Sequence, residues 1–147
     1  MATPISIPAT FASFSETWSP RLIAAVNDAH VKVARLDGSF VWHAHADSDE
    51  LFYVLSGEMD LDVEVHRRSE SEPERLGTEN EKTEAEVEVQ VVQMRAGDIY
   101  VVPRGVRHRP VARDAQVLLV ERDTTVNTGD AAGAEASGRT RAPVDAR

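Results

Sequence analysis

The sequence predicts an all-β domain, because of its aliphatic composition and the spacing of its apolar segments. The 19 Val and 4 Ile residues outnumber the 8 Leu and 3 Met residues, and β-branched side chains fit a pleated sheet better than a helix. Short apolar segments recur with turn residues between them, and no long stretch has the apolar period of an amphipathic helix. This pattern is typical of a closed or sandwiched β domain.

Residues 1–20 are predicted to form an extended N-terminal arm. They contain Pro4, Pro8 and Pro20 among small polar residues, and proline disfavours the interior of a long helix. A short helical turn over residues 11–16 is compatible with this composition.

Residues 21–123 form a series of short predicted strands, which we place in one closed or sandwiched domain. Asn27-Asp28 predicts a hairpin turn between RLIAAV and AHVKVARL, and Asp37-Gly38 is the next turn signal. The segments FVWHAH, ELFYVL and EMDLDVEV follow, with Ser56-Gly57 dividing the last two. The segments VEVQVVQM, DIYVVP and AQVLLVERD complete the series.

Two polar segments interrupt or follow the predicted strands. Residues 66–86 are predicted to be an acidic insertion at the tip of a long hairpin, because residues 69–86 contain seven Glu against one Arg and one Lys. Residues 124–147 are predicted to be a flexible C-terminal tail, since they offer little apolar surface to offset the entropy of ordering. The alternative for this tail is order acquired by docking on a neighbour.

The charge and cysteine content exclude several classes of protein. A formal net charge of -9 disfavours binding to nucleic acid or to an anionic membrane, because both require clustered positive charge. No run of about 18 apolar residues and no signal-peptide pattern is present, so we expect a soluble, cytoplasmic protein. With no cysteine, a metal site would have to use His nitrogen and carboxylate oxygen.

Three histidines and one glutamate are the candidate metal ligands. His43 and His45 are two positions apart in a predicted strand, so their side chains are expected to share one face. Glu50 begins the next predicted strand, and His108 follows about 60 residues later. A His-x-His pair by itself is more often solvent-facing than metal-binding.

These four residues lie in two motifs that resemble those of the cupin superfamily. The matching positions are Gly38, His43, His45, Glu50 and Gly57 in the first motif, and Gly97, Pro103, Gly105 and His108 in the second. Four residues separate Gly38 from His43 where five are more usual, and Ala112 stands where the second motif often has Asn. The resemblance covers roughly residues 21–123 and is closest to small single-domain cupins.

The resemblance implies a cupin β-barrel, which is a double-stranded β-helix or jelly roll. It also implies that His43, His45, Glu50 and His108 bind one divalent metal inside that barrel. Such a ligand set suits Fe, Mn, Ni, Co or Zn and leaves up to two octahedral positions open for water or substrate. The alternative is a vestigial site whose histidines are held by ordinary hydrogen bonds.

Four further side chains are candidates for contact with a small-molecule ligand or substrate: Phe52, Met59, Tyr100 and Arg104. Phe52 is expected to share the cavity face with Glu50, and Met59 is a further apolar wall candidate. Both could instead serve only in core packing. Tyr100 could offer its phenol to a ligand, or it could be a buried residue whose hydroxyl is bonded to the backbone. Arg104 could meet an anionic group at the barrel mouth.

The sequence therefore predicts a metal-dependent enzyme acting on a small organic substrate, of dioxygenase or isomerase type, with the reaction and catalytic residues unassigned. A non-catalytic metal- and ligand-binding module is the alternative, and a structural role without metal is a third. Leu51, Tyr53 and Leu55 form an apolar stripe on the face opposite Glu50. Because the N-terminal strands or a second subunit must cover this stripe, we expect a homodimer.

Overall fold

A computed structural model of the chain describes residues 1–67 and 85–131 and the backbone of residues 144–145. The described elements are α1 (Ile7–Ala12), β1 (Arg21–Val26), β2 (Ala29–Ser39), β3 (Glu50–Arg67), β4 (Glu86–Arg95), β5 (Ile99–Val102), β6 (His108–Arg122) and β7 (Val144–Asp145). The expected all-β fold is confirmed. In this part of the chain no helix has the length and apolar character needed to cross a membrane.

The strands form one sheet in the order β4-β3-β6-β2-β1-β7, with β5 also paired to β3. All pairs are antiparallel except β1 with β7. β3 and β6 are the long central pair, running from Leu51 opposite Val120 to Val63 opposite His108. β5 flanks the first part of β3 and β4 flanks the second, so β3 is paired on both sides at residues 51–53 and 58–63.

The interior of the barrel is filled by alternate residues of the central strands. Val54, Met59, Leu61 and Val117 are fully buried in one apolar cluster, as expected where removal of apolar surface from water drives folding. A second cluster forms outside the barrel, where Phe11 packs with residues of β1 and β2 and reaches Leu55 and Leu118. The N-terminal arm therefore covers part of the outer sheet face.

The short helix of the arm lies earlier than the sequence predicts. Helix α1 spans Ile7–Ala12 rather than residues 11–16, and the Ser6 side chain accepts a hydrogen bond from the Ala9 backbone N–H at 3.3 Å. A serine at the N-cap with Pro8 in the first turn is a favourable helix start. The N-cap serine and Pro8 thus favour a helix that begins at Ile7 over one at residues 11–16.

Two predicted turns are irregularities within continuous strands. β2 continues through Asp37-Gly38 with a register shift, and β3 continues through Ser56-Gly57 with two shifts. Gly57 has φ of +75°, and a Cβ there would lie 2.2 Å from the Asp114 carbonyl oxygen. A residue with positive φ supports a bulge as well as a turn, which is why the sequence signal is ambiguous. The hairpin turn predicted at Asn27-Asp28 is confirmed.

The predicted acidic insertion and tail are only partly described. EMDLDVEV and the strand after the insertion pair as an antiparallel hairpin, with Arg67 opposite Glu86. Residues 68–84 of the insertion lie outside the described residues, as do residues 132–147 of the tail apart from the backbone of 144–145.

Candidate metal centre

Four side chains converge inside the barrel, and they are the four that the sequence motifs indicate: His43, His45, Glu50 and His108. One ligand atom from each lies within 4.8 Å of the others. All four residues are buried. Three imidazoles and one carboxylate within this distance can share one cation.

Strands β3 and β6 and one isolated β-bridge position these ligands. Glu50 is the first residue of β3 and His108 is the first of β6. The His43 N–H donates to the His108 carbonyl at 3.0 Å, and the His108 N–H donates to the His43 carbonyl at 2.9 Å. Residues far apart in sequence thus become direct neighbours.

The prediction of a strand over FVWHAH is wrong. Residues 40–49 contain no strand, and His43 makes only an isolated bridge to His108. The segment instead takes hydrogen bonds from several loops, including one from the Gly105 N–H to the His45 carbonyl at 2.8 Å. The two imidazoles still approach each other, with ring centroids 4.9 Å apart, because the bridge and the loops orient them.

Hydrogen bonds to backbone carbonyls fix the tautomers of two histidines. His43 Nδ1 lies 2.9 Å from the Val41 carbonyl oxygen, and His108 Nδ1 lies 3.0 Å from the Val106 carbonyl oxygen. A carbonyl can only accept, so each Nδ1 carries the proton and each Nε2 keeps its lone pair in the neutral ring. This arrangement orients imidazoles that bind metal through Nε2.

The contacts of Glu50 fit a cation at this position. Its Oε2 lies 3.0 Å from His108 Nε2 and 3.1 Å from His45 Nε2. Because a carboxylate oxygen and an unprotonated Nε2 are both acceptors, their approach requires a shared proton or a shared cation. A divalent metal satisfies the donor set.

The electrostatics of the cluster favour the ligating forms of His43 and Glu50, whereas at His45 they favour the protonated ring, whose proton a metal would displace. Burial and the neighbouring His108 lower the pKa of His43 from 6.5 to about 4, so its ring is neutral at pH 7. Burial opposes a charge on Glu50, but the close contacts of its carboxylate with His108 and His45 outweigh burial and lower the pKa of Glu50 below its usual range. Burial likewise disfavours charge on His45, but its hydrogen bond to Glu50 raises the pKa of that ring. The site therefore offers one negative charge to a cation.

A largely apolar cavity adjoins the cluster. Its lining comprises Trp18, Pro20, Leu36, Phe40, His43, Glu50, Phe52, Pro110, Leu119 and Asn127. The rings of Trp18 and Phe40 stack with centroids 4.7 Å apart and planes 14° apart. Small ligands commonly bind in cavities with apolar walls and few polar groups.

The four candidate substrate contacts have different surroundings. Phe52 lines the cavity, whereas Met59 is fully buried in the main core and Tyr100 packs against that core. The Arg104 side chain is 60% exposed and lies 3.6 Å from Asp49. Of the four, the structure thus brings Phe52 to the cavity beside the ligands.

Several residues of the site region carry no motif in the sequence. Trp18 lies in the arm and Asn127 in the predicted tail, yet both line the cavity. Lys32 and Glu121 form a buried ion pair, with Nζ and Oε1 2.6 Å apart. The alternation of AQVLLVERD places Glu121 on the inward face with Leu119, and this signal could have identified it.

Comparison with known proteins relates this chain to a family, to solved structures and to one curated protein. The family model described as Cupin matches residues 9–139. A cupin-2 domain containing protein from Shewanella frigidimarina is 32% identical with a TM-score of 0.61, covering 80% of this chain and 93% of that chain. The uncharacterized protein YdbB of Bacillus subtilis is 54% identical over 37 residues, which are 25% of this chain and only 33% of that protein.

A more distant structure is a hydroquinone 1,2-dioxygenase, PnpCD, in complex with Cd²⁺ and 4-hydroxybenzonitrile. It has a TM-score of 0.55 and 19% identity, covering 84% of this chain and 80% of that chain. At this identity the similarity establishes a common fold alone.

Proposed function

Because this chain belongs to the cupin family, we propose that it is a metal-dependent enzyme acting on a small organic molecule, of dioxygenase or isomerase type. The observation that carries the proposal is the buried cluster of three imidazoles and one carboxylate within 4.8 Å, beside a cavity. Cupin-fold neighbours include dioxygenases solved with Fe³⁺ or with Cd²⁺. These neighbours make an oxygenase reaction a reasonable first test.

The proposed cofactor is one divalent ion, Fe, Mn, Ni, Co or Zn, held by His43, His45, Glu50 and His108. Imidazole and carboxylate ligands accept all five. When bound, the ion would polarise a substrate oxygen or take part in redox chemistry. The backbone hydrogen bonds at His43 and His108 would keep both rings oriented for binding.

The cavity supports a small, largely apolar substrate with a polar group directed to the ligands. The stacked rings of Trp18 and Phe40 offer a flat apolar wall, and Phe52 adds a further ring near His108, with centroids 6.1 Å apart. Apolar walls exclude water, which strengthens electrostatic interactions at the ligands. The chain would thus bind the substrate, orient it and exclude water from it.

A non-catalytic binding module is the second candidate, and one observation favours it. Among the described residues that line the cavity, only His43 and Glu50 have titratable side chains. A reaction that needed a separate general acid or base would therefore lack one at the cavity wall. Chemistry confined to the metal would not need this group.

We also propose that the protein is a homodimer. Leu55 packs against the arm cluster, but Tyr53, Ile99 and Val101 are 37%, 62% and 47% exposed. Tyr53 is paired with Ile99 across β3 and β5, so these side chains form one apolar patch on the outer sheet face. A second copy could cover it. Light scattering at micromolar concentration tests this, and a monomer mass would contradict it.

Elemental analysis tests the metal site itself. We expect about one metal per chain in the loaded protein and a sharp loss in His43→Ala, His45→Ala, Glu50→Gln and His108→Ala. His66→Ala is the matched control, because His66 is exposed and opposite Val87 on the outer hairpin. Ligand variants that retain the wild-type metal content would refute the site.

A turnover screen then separates the two candidate functions. Metal-loaded protein is incubated with small phenols and organic acids while O₂ consumption and product formation are followed. Metal-dependent turnover supports the enzyme. Binding without conversion or O₂ uptake supports the module.

A further inference from the structure

Residues 124–131 follow β6 and lie against the segment that carries two of the four ligands. Ala44, between His43 and His45, is bonded to Asp130 through both of its backbone groups. The Ala44 N–H donates to Asp130 Oδ1 at 2.8 Å, and the Asp130 N–H donates to the Ala44 carbonyl at 3.1 Å. The sequence assigns these residues to a flexible tail, but here they dock on their own chain.

The fit between the two segments is close enough to require a glycine. Gly129 has φ of +51°, and a Cβ there would lie 2.1 Å from the Ala44 carbonyl oxygen and 3.1 Å from His45 Nδ1. Real Cβ atoms do not approach a backbone oxygen this closely. Thr128 next to it is fully buried. Residues 124–131 therefore contact both the backbone between the ligands and one ligand ring.

The segment is also held by bonds of its own. The Gly129 N–H donates to the Val126 carbonyl at 2.8 Å, and the Ala131 N–H donates to the Thr128 carbonyl at 2.9 Å. Asp130 Oδ2 lies 3.4 Å from Arg107 Nη1. These turns and the ion pair present Asp130 to Ala44 in one defined orientation.

The ligand segment depends on such external support because it is not part of a strand. Among the described residues, His43 is fixed by its bridge to His108, and the His45 carbonyl by the Gly105 N–H. Between them, both backbone groups of Ala44 are bonded to Asp130. Loss of these two bonds would free the peptide groups that set the relative orientation of the two imidazoles.

We propose that Asp130 is a positioning residue of the metal centre, whose two bonds to Ala44 hold His43 and His45 in the orientation that binds metal. This goes beyond the proposed reaction and rests only on its metal-binding part. The same segment brings Asn127 to the cavity wall, so residues 124–131 form part of both the ligand support and the cavity.

The test compares three substitutions in the full-length chain. Asp130→Ala removes the Oδ1 acceptor, and we expect a 10–100-fold weaker affinity for Zn²⁺ or Co²⁺, the usual effect of removing a partner that orients a metal ligand. Asp130→Asn keeps an oxygen that can accept from Ala44 and should restore affinity to within about 3-fold of wild type. Asp123→Ala, at an exposed aspartate just before the segment, should leave affinity unchanged.

Affinities are measured by competition with a chromophoric chelator, and the visible spectrum of bound Co²⁺ reports the ligand geometry. Asp130→Ala is expected to change that spectrum and Asp130→Asn to preserve it. A role limited to folding would lower the melting temperature of Asp130→Ala while leaving affinity and spectrum as in wild type, and this result would overturn the proposal. Gly129→Ala gives an independent check, since its Cβ would displace Ala44 or His45 and should weaken binding similarly.

The metal-free protein gives a second readout that separates this proposal from the proposed function. Exchange of the Ala44 amide hydrogen is expected to accelerate in Asp130→Ala and to stay slow in Asp123→Ala. If wild type binds no metal, the proposed function fails and the positioning role fails with it. If wild type binds metal but Asp130→Ala changes neither exchange nor affinity, the positioning role alone is refuted.

Discussion

Replacement of Glu121 with Gln is expected to remove a pH dependence from the stability of the metal-free protein. The Glu121 and Lys32 side chains are each 1% exposed, and their Oε1 and Nζ atoms are 2.6 Å apart. In the described part of the chain, Glu121 Oε2 is buried with no hydrogen-bond partner. Burial and the neighbouring charge of Glu50 raise the pKa of Glu121 from 4.5 to about 7.

The sign and size of the effect follow from linkage. Between pH 4.5 and 7 the folded state binds more protons at Glu121 than the unfolded state does, so the free energy of unfolding falls as pH rises through this window. At about 1.4 kcal/mol per pH unit, the loss is about 2 kcal/mol between about pH 5.5 and pH 7. Gln cannot ionise, so the variant lacks this component.

The test is urea unfolding followed by tryptophan fluorescence, at several pH values above the pI of about 5.0. It measures the difference in the free energy of unfolding between wild type and Glu121→Gln. We expect the stability of wild type relative to the variant to decrease by about 2 kcal/mol over the range. Glu58→Gln is the matched control, because Glu58 is a half-exposed glutamate paired with Arg113. A difference that stays constant with pH would refute the reasoning.

Three further predictions concern packing, backbone and metal. Met59→Ala should lower the free energy of unfolding in urea by about 2–5 kcal/mol, because the side chain is fully buried in the core. A loss below about 1 kcal/mol would contradict this placement. Gly57→Ala should lower the free energy of unfolding by about 2 kcal/mol or more in the same assay, since a Cβ at this positive φ would meet the Asp114 carbonyl. An unchanged urea midpoint would argue against the bulge. Zn²⁺ or Co²⁺ at 100 times Kd should stabilise wild type by about 2.7 kcal/mol, and EDTA should reverse this stabilisation. An unchanged melting temperature in calorimetry would count against a metal site formed in the folded state.

Local sequence patterns predicted the long strands and the identity of the ligands, but they also predicted a strand over FVWHAH that the structure lacks. The alternation in EMDLDVEV, VEVQVVQM and AQVLLVERD predicts strands because side-chain direction in a strand has a period of two, and β3, β4 and β6 contain these segments. The spacing of His43, His45, Glu50 and His108 matched a known motif pattern, and the four side chains do meet. Turn signals were less specific, since Gly38 and Gly57 lie at bulges rather than at turns.

The sequence by itself thus determined an all-β chain and the four residues able to share a metal. Only the tertiary structure decided which other residues accompany them: the pair of Lys32 with Glu121, the wall formed by Trp18 and Asn127, and the bonds of Asp130 to Ala44. The physical reason is the sequence separation over which each kind of interaction acts. Periodicity and turn propensity act between neighbours in the chain, whereas these contacts join segments dozens of residues apart that meet only after the sheet has closed around its core.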